Sequence, residues 1–114
     1  MNYQIINWDT ISESMMGNEE MIKQFVQMYL VQSPVDFEAL ERAVFNKDMI
    51  AIKDKAHHIK PTMQYVGAIS LQQDFQLLEN MAKEGKDIRE IEGLLERIKP
   101  KFELLLEELR MLAG

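Results

Sequence analysis

His57 and His58 are the only two histidines of the chain, and they stand side by side in the stretch Lys55-Ala-His-His-Ile-Lys-Pro-Thr-Met-Gln-Tyr-Val-Gly-Ala68. Imidazole is the side chain best suited to nucleophilic, acid–base or metal chemistry near neutral pH. On a helix each residue turns by roughly 100°, so neighbours cannot share a face. His57 falls on the side of Lys53, Lys60 and Gln64, whereas His58 faces away with Asp54, Lys55 and Thr62. Two histidines so divergent cannot chelate one ion together. The chain also has no cysteine and no Glu-x-x-His repeat, so no metal centre is expected. An exposed imidazole between two lysines is suited instead to holding a doubly negative group, whose charge the ammonium groups offset. The competing reading is two ordinary solvated surface residues, since neither histidine belongs to an apolar stripe.

The following segment carries Gln72, Gln76, Glu79 and Lys83 along one flank of its own apolar stripe. If the two segments pair antiparallel, Glu79 or Gln76 can accept the Nδ1 proton of His57. That would fix the tautomer and leave Nε2 as the nucleophile. The alternative for Glu79 is an i+4 pair with Lys83 on the surface. Pro61 would remove the hydrogen bond to the His57 carbonyl, at about 3 kcal/mol in a straight helix. Met63 and Val66 nevertheless stay in phase with the stripe before it, so a local kink beside His57 is expected, not a helix end.

Composition narrows the remaining classes. A chain of 114 residues, 46% hydrophobic and 28% charged, suits one soluble domain, expected to span 1–114. The N-terminus lacks the basic and apolar regions of a signal peptide, and no apolar run approaches the ~18 residues of a membrane span. The expected compartment is the cytoplasm. A formal net charge of −6 opposes binding to a phosphate backbone, so no nucleic acid partner is expected. The five glycines are scattered and form no phosphate-cradling loop, and no acidic cluster has Mg²⁺-ligand spacing, so neither ATP binding nor autonomous kinase activity is expected.

The elements that must position these residues read as helix throughout, with no hairpin turn and no long alternating strand pattern. Asn18 is a candidate cap for a long helix over 19–46, bent at Pro34, with a stripe through Met21, Ile22, Phe25, Met28 and Tyr29. Past the proline that stripe resumes at Val35, Phe37, Leu40, Val44 and Phe45. Asp48 can cap a second helix over 48–66, whose stripe is Ile52, Ala56, Ile59, Met63 and Val66. Gly67 ends it in a left-handed conformation. Leu71, Phe75, Leu78 and Ala82 define a third helix over 69–84, stopped at Gly85. A fourth, over 87–112, follows Asp87 and runs through Ile91, Leu95, Ile98, Phe102, Leu105, Leu109 and Leu112, in phase across Pro100. Four amphipathic segments with short connections predict an all-α, antiparallel up-and-down four-helix bundle with a short N-terminal extension in which Trp8 packs across one end. The nine methionines are expected to fill gaps in its core.

Ala56-His57-His58-Ile59-Lys60, then Gly67-Ala68, then Leu71 and Leu78-Glu79 in that order and spacing resemble the histidine phosphotransfer (HPt) domains of bacterial two-component phosphorelays. Gly17-Asn-Glu-Glu, Phe25, Pro34 and Leu40 resemble that family's leading helix, and Lys83-Glu84-Gly85 its loop before the last helix. The resemblance implies that His57 is the phosphorylated histidine, that Lys60 helps to hold the phosphoryl group, and that Glu79 contacts the imidazole. Two positions depart from the family pattern: Pro61 stands where Gly is usual, and Gln64 where a small residue is usual. Small residues there let a partner come close to the histidine.

The resemblance further implies a phosphocarrier, not an enzyme. His57 would relay a phosphoryl group between aspartates of response-regulator receiver domains, fed by a hybrid histidine kinase. It needs no cofactor of its own, Mg²⁺ being supplied by the partner receiver. The expected docking surface comprises the His57 face with Lys53, Pro61 and Gln64, together with Ile22 and Phe25 of the first helix. A monomer suits such a carrier, and the length and Met start suit a free-standing one. The alternative is a non-catalytic helical adaptor that docks on a receiver or kinase without carrying phosphate.

Overall fold

Side-chain caps in the sequence place the helix starts, that after Ala68 excepted. In the computed structural model, which describes residues 3–113, the elements are α1 (Trp8–Ser14), α2 (Glu19–Phe45), α3 (Met49–Tyr65), α4 (Ile69–Lys83) and α5 (Ile88–Ala113). Met1, Asn2 and Gly114, the ends of the expected 1–114 span, lie outside the described residues. Asn7, Asn18 and Asp48 each accept a hydrogen bond from the backbone N–H three residues on, satisfying a donor that the helix start leaves open. Asp87 Oδ1 accepts instead from the N–H two residues on, Arg89 N at 2.9 Å. Gly67 (φ +70°) follows α3 and Gly85 (φ +69°) follows α4, both in the left-handed region that a Cβ disfavours. Pro34, Pro61 and Pro100 all lie inside continuous helices.

The helix bounds fall within a few residues of the sequence reading, with one element added. The N-terminal extension contains α1, and its anchors are Ile6, Ile11 and Met15; Trp8, expected to pack across the end, is 42% exposed. Asn7 N donates to the Val66 carbonyl at 2.9 Å, fixing the extension to the end of α3. A buried carboxylate completes the attachment: Glu108 of α5 accepts from the backbone N–H groups of Gln4 (2.8 Å), Ile5 (3.0 Å) and Ile6 (3.0 Å).

Helices α2 and α4 each pack against α3 and α5, so the four long helices form a closed ring around one core, within an envelope of 43 × 21 × 21 Å. The stripes expected for α3 and α4 are buried as read, from Ile52 to Val66 and from Leu71 to Ala82. The α2 stripe differs. Ile22, Val26, Phe37, Leu40, Ala43 and Val44 face the core, while Met21, Met28, Val35 and Phe45 are exposed. The methionines likewise depart from expectation: Met15 and Met63 are core residues, but Met16, Met21, Met28 and Met111 stand in solvent. Among the described residues no helix is long and apolar enough to cross a membrane.

Candidate functional site

Burial of Ala56 and Ile59 on the core side of α3 forces the residues between them outward. His57 and His58 are accordingly exposed over 69% and 67% of their side chains, on different sides of the helix. His58 turns towards α2, with Nε2 3.7 Å from Asp36 Oδ2. His57 turns towards α4, where Nδ1 lies 3.2 Å from Glu79 Oε1.

Lys60, one turn after His57, reaches the same carboxylate. Its Nζ is 2.8 Å from Glu79 Oε1 and donates to Gln76 Oε1 at 2.6 Å. Gln76 Nε2 in turn donates to Asn80 Oδ1 at 2.9 Å. The spacing explains the convergence: positions i and i+3 on each of two packed helices present two side chains to the same seam. The ammonium group carries three donors. Two are taken by Glu79 and Gln76, so one stays available beside the imidazole.

Glu79 is half-buried, and burial works to raise its pKa. The hydrogen bonds from Lys60 and His57, with their Coulombic attraction, outweigh that and hold the carboxyl below its ordinary value. The site therefore keeps a carboxylate against Nδ1. If Nδ1 holds the proton that Glu79 accepts, the lone pair on Nε2 points to solvent.

Of the residues singled out from sequence, His57, Lys60, Gln76 and Glu79 come together in one hydrogen-bonded group. Glu79 is spent on Lys60 and His57, not on an i+4 pair with Lys83. Gln76 faces Lys60, leaving the imidazole to Glu79. Lys53 is outside the group; its nearest carboxylate is Asp54 Oδ1 at 3.9 Å. Pro61 and Gln64 are exposed on α3. Ile22 corrects the expected docking surface: it is 4% exposed and belongs to the core. Phe25 is half-buried and meets Tyr29 and Tyr65 edge-on, with ring centroids 4.1 and 5.9 Å away. Tyr29 also hydrogen-bonds Thr62, and burial, reinforced by Tyr65, raises its pKa despite that bond. Asn80 went unread in the sequence, although its position four residues after Gln76 was the available signal.

Residues 24–112 match the family of Hpt domains. That match covers most of the chain, and the chain belongs to this family of histidine phosphotransfer domains. Among solved structures it is similar to histidine-containing phosphotransfer protein B from Pseudomonas aeruginosa PAO1, with a TM-score of 0.86 and 17% identity over 96% of this chain and 95% of that one. At that identity the likeness speaks for the fold. No curated protein matches the sequence.

Proposed function

We propose that His57 Nε2 accepts a phosphoryl group from the aspartyl phosphate of one receiver domain and passes it to the aspartate of another. The observation that carries this reading is the exposed imidazole whose Nδ1 faces a carboxylate shared with Lys60. In the forward step the Nε2 lone pair attacks phosphorus and the bond from phosphorus to the aspartyl oxygen breaks, releasing the donor's carboxylate. Glu79 holds the Nδ1 proton throughout. Lys60 offers its remaining N–H to the incoming phosphoryl oxygens, where charge-assisted bonds are stronger than neutral ones. In the onward step the P–Nε2 bond breaks and the electron pair returns to the ring. The receiver supplies Mg²⁺ and the stabilisation of the transferring group.

The chain is thus a phosphocarrier of a two-component phosphorelay, acting as a single cytoplasmic domain and as a monomer. Its partners are receiver domains and a hybrid histidine kinase. They meet it on the His57 face with Pro61 and Gln64, flanked by Phe25 and Lys53. The four long helices run up and down antiparallel. Their connections, residues 46–48, 66–68 and 84–87, reach only about 10–14 Å at full extension and cannot return a chain along the bundle.

Intact-mass measurement after incubation with a phosphorylated receiver or phosphoramidate tests the proposal. One acid-labile adduct that disappears in His57→Gln and persists in His58→Gln is the expected result. An adduct following His58 would refute the assignment. No adduct from any donor, with binding to a receiver retained in His57→Ala, would support the adaptor reading instead.

A further inference from the structure

The seam on the far side of the ring is also built to receive something. Where α2 meets α5, two cavities of about 870 and 340 Å³ share Glu38 and Glu41 and so form one continuous groove. From Pro34 to Phe45 the groove follows α2 for about 17 Å, at 1.5 Å per residue, which is the length of a three-turn helix. Its floor is apolar: half-buried Leu95 and Leu106 line it, backed by the core residues Phe37, Val44 and Phe102. Phe37 and Phe102 stack there with centroids 4.4 Å apart, giving a rigid base. Phe45, 86% exposed, stands at one end with nothing over it.

The walls carry an uneven charge. Arg42 is bound to Glu38 at 2.6 Å and Lys99 to Glu41 at 3.4 Å, so those four cancel in pairs. Glu92, Glu96 and Glu103 make no ion pair among the described residues, and only Lys47 opposes them. Helix-in-groove recognition joins an apolar floor to charge-matched rims. A second copy of the chain, with a net charge of −6, is repelled by such walls.

We infer that the α2–α5 groove docks a basic amphipathic helix of about three turns from a partner protein. His57, Lys60 and Glu79 lie on the α3–α4 seam, and α2 stands diagonally across the core from α4, meeting it only through core side chains such as the Phe37–Phe75 ring pair with centroids 6.4 Å apart. The groove can therefore be filled while the histidine remains open to a receiver, which makes the chain a scaffold as well as a carrier. This inference is independent of whether His57 carries phosphate.

The test is a ¹⁵N-edited NMR titration with a synthetic 14-residue peptide, leucine at positions 1, 4, 8 and 11 and lysine elsewhere, beside a scrambled peptide of the same composition. Expected are shifts confined to residues 34–47 and 92–106, and an affinity for the patterned peptide at least about tenfold above that for the scrambled one. The double reversal Glu92→Lys/Glu96→Lys, folded by circular dichroism, should weaken binding about tenfold, since two exposed pairs are lost. Glu13→Lys/Glu20→Lys, with the same charge change elsewhere, should cost far less. Phosphoramidate labelling of His57 should proceed equally with the peptide bound; a chain that takes up no label at all leaves the groove result standing. Equal affinity for both peptides, or shifts centred on residues 53–60 and 76–83, would overturn the inference. So would a wild-type dimer that the double reversal dissolves, which would assign the groove to a second copy.

Discussion

Removing the Glu79 carboxylate probes the site most directly. In Glu79→Ala, Nδ1 of His57 loses the acceptor at 3.2 Å, and Lys60 loses its partner at 2.8 Å while keeping Gln76 at 2.6 Å. The His57 side chain is 69% exposed, so water replaces much of what is lost. A net hydrogen bond under those conditions contributes about 0.5–1.5 kcal/mol, which is roughly a two- to thirteenfold change in the ratio of the two neutral tautomers. That ratio sets the fraction of imidazole with a free Nε2 lone pair, so the initial rate of phosphorylation by phosphoramidate should fall, by at most the same factor. Long-range ¹H–¹⁵N NMR reads the tautomer ratio, and time-resolved intact mass reads the rate. Glu79→Gln keeps a carbonyl acceptor and should recover most of the tautomer ratio, but less of the Lys60 placement. The reasoning fails if Glu79→Ala leaves both ratio and rate unchanged in a folded protein. It fails equally if the rate falls while the tautomer ratio does not move, for then Glu79 acts only through Lys60.

The remaining predictions concern the frame. Glu108→Ala leaves three backbone N–H groups without their acceptor and should cost about 3–5 kcal/mol in urea unfolding, with lost amide protection at Gln4, Ile5 and Ile6; a loss below about 1 kcal/mol would show that water replaces the carboxylate. Gly67→Ala puts a Cβ 2.6 Å from Asn7 Cβ at a φ of +70°, and should cost about 2–5 kcal/mol from backbone strain and overpacking, with exchange at Asn7 N as the local readout. Glu79 has a folded-state pKa below its ordinary 4.5, so its stabilisation is present above that value and disappears as pH falls through the lower folded one. The stability difference between wild type and Glu79→Gln should therefore be flat above about pH 5.5 and shrink below pH 4.5; a difference constant to pH 3 would contradict the depressed carboxyl.

How much of this was legible beforehand differs between helices for a physical reason. Helices α3 and α4 bury one narrow face each, so a single period of 3.6 residues identified Ile52 to Val66 and Leu71 to Ala82 without help from the fold. The same 100° rotation separated His57 from His58 and put His57 beside Lys60. Caps, end glycines and the persistence of phase across Pro61 and Pro100 are equally local properties, and the chain alone determined them.

What the chain could not determine was every choice that depends on a second surface. Helix α2 carries apolar residues on more than one face, and packing against α3 and α5 decides which of them are covered. The same apolar letters therefore divide into core (Ile22, Val26) and solvent (Met21, Met28) with no local mark to distinguish them. Glu79 and Gln76 were interchangeable as partners of His57 until the α3–α4 register placed Oε1 of Glu79 against Nδ1 and Gln76 against Lys60. Glu108 reads as one more surface acid on a charged helix, and its burial follows from backbone N–H groups more than a hundred residues away in sequence. Periodicity encodes which side of a helix is apolar; only packing decides which neighbour that side meets, and hence which polar groups end up within hydrogen-bonding reach.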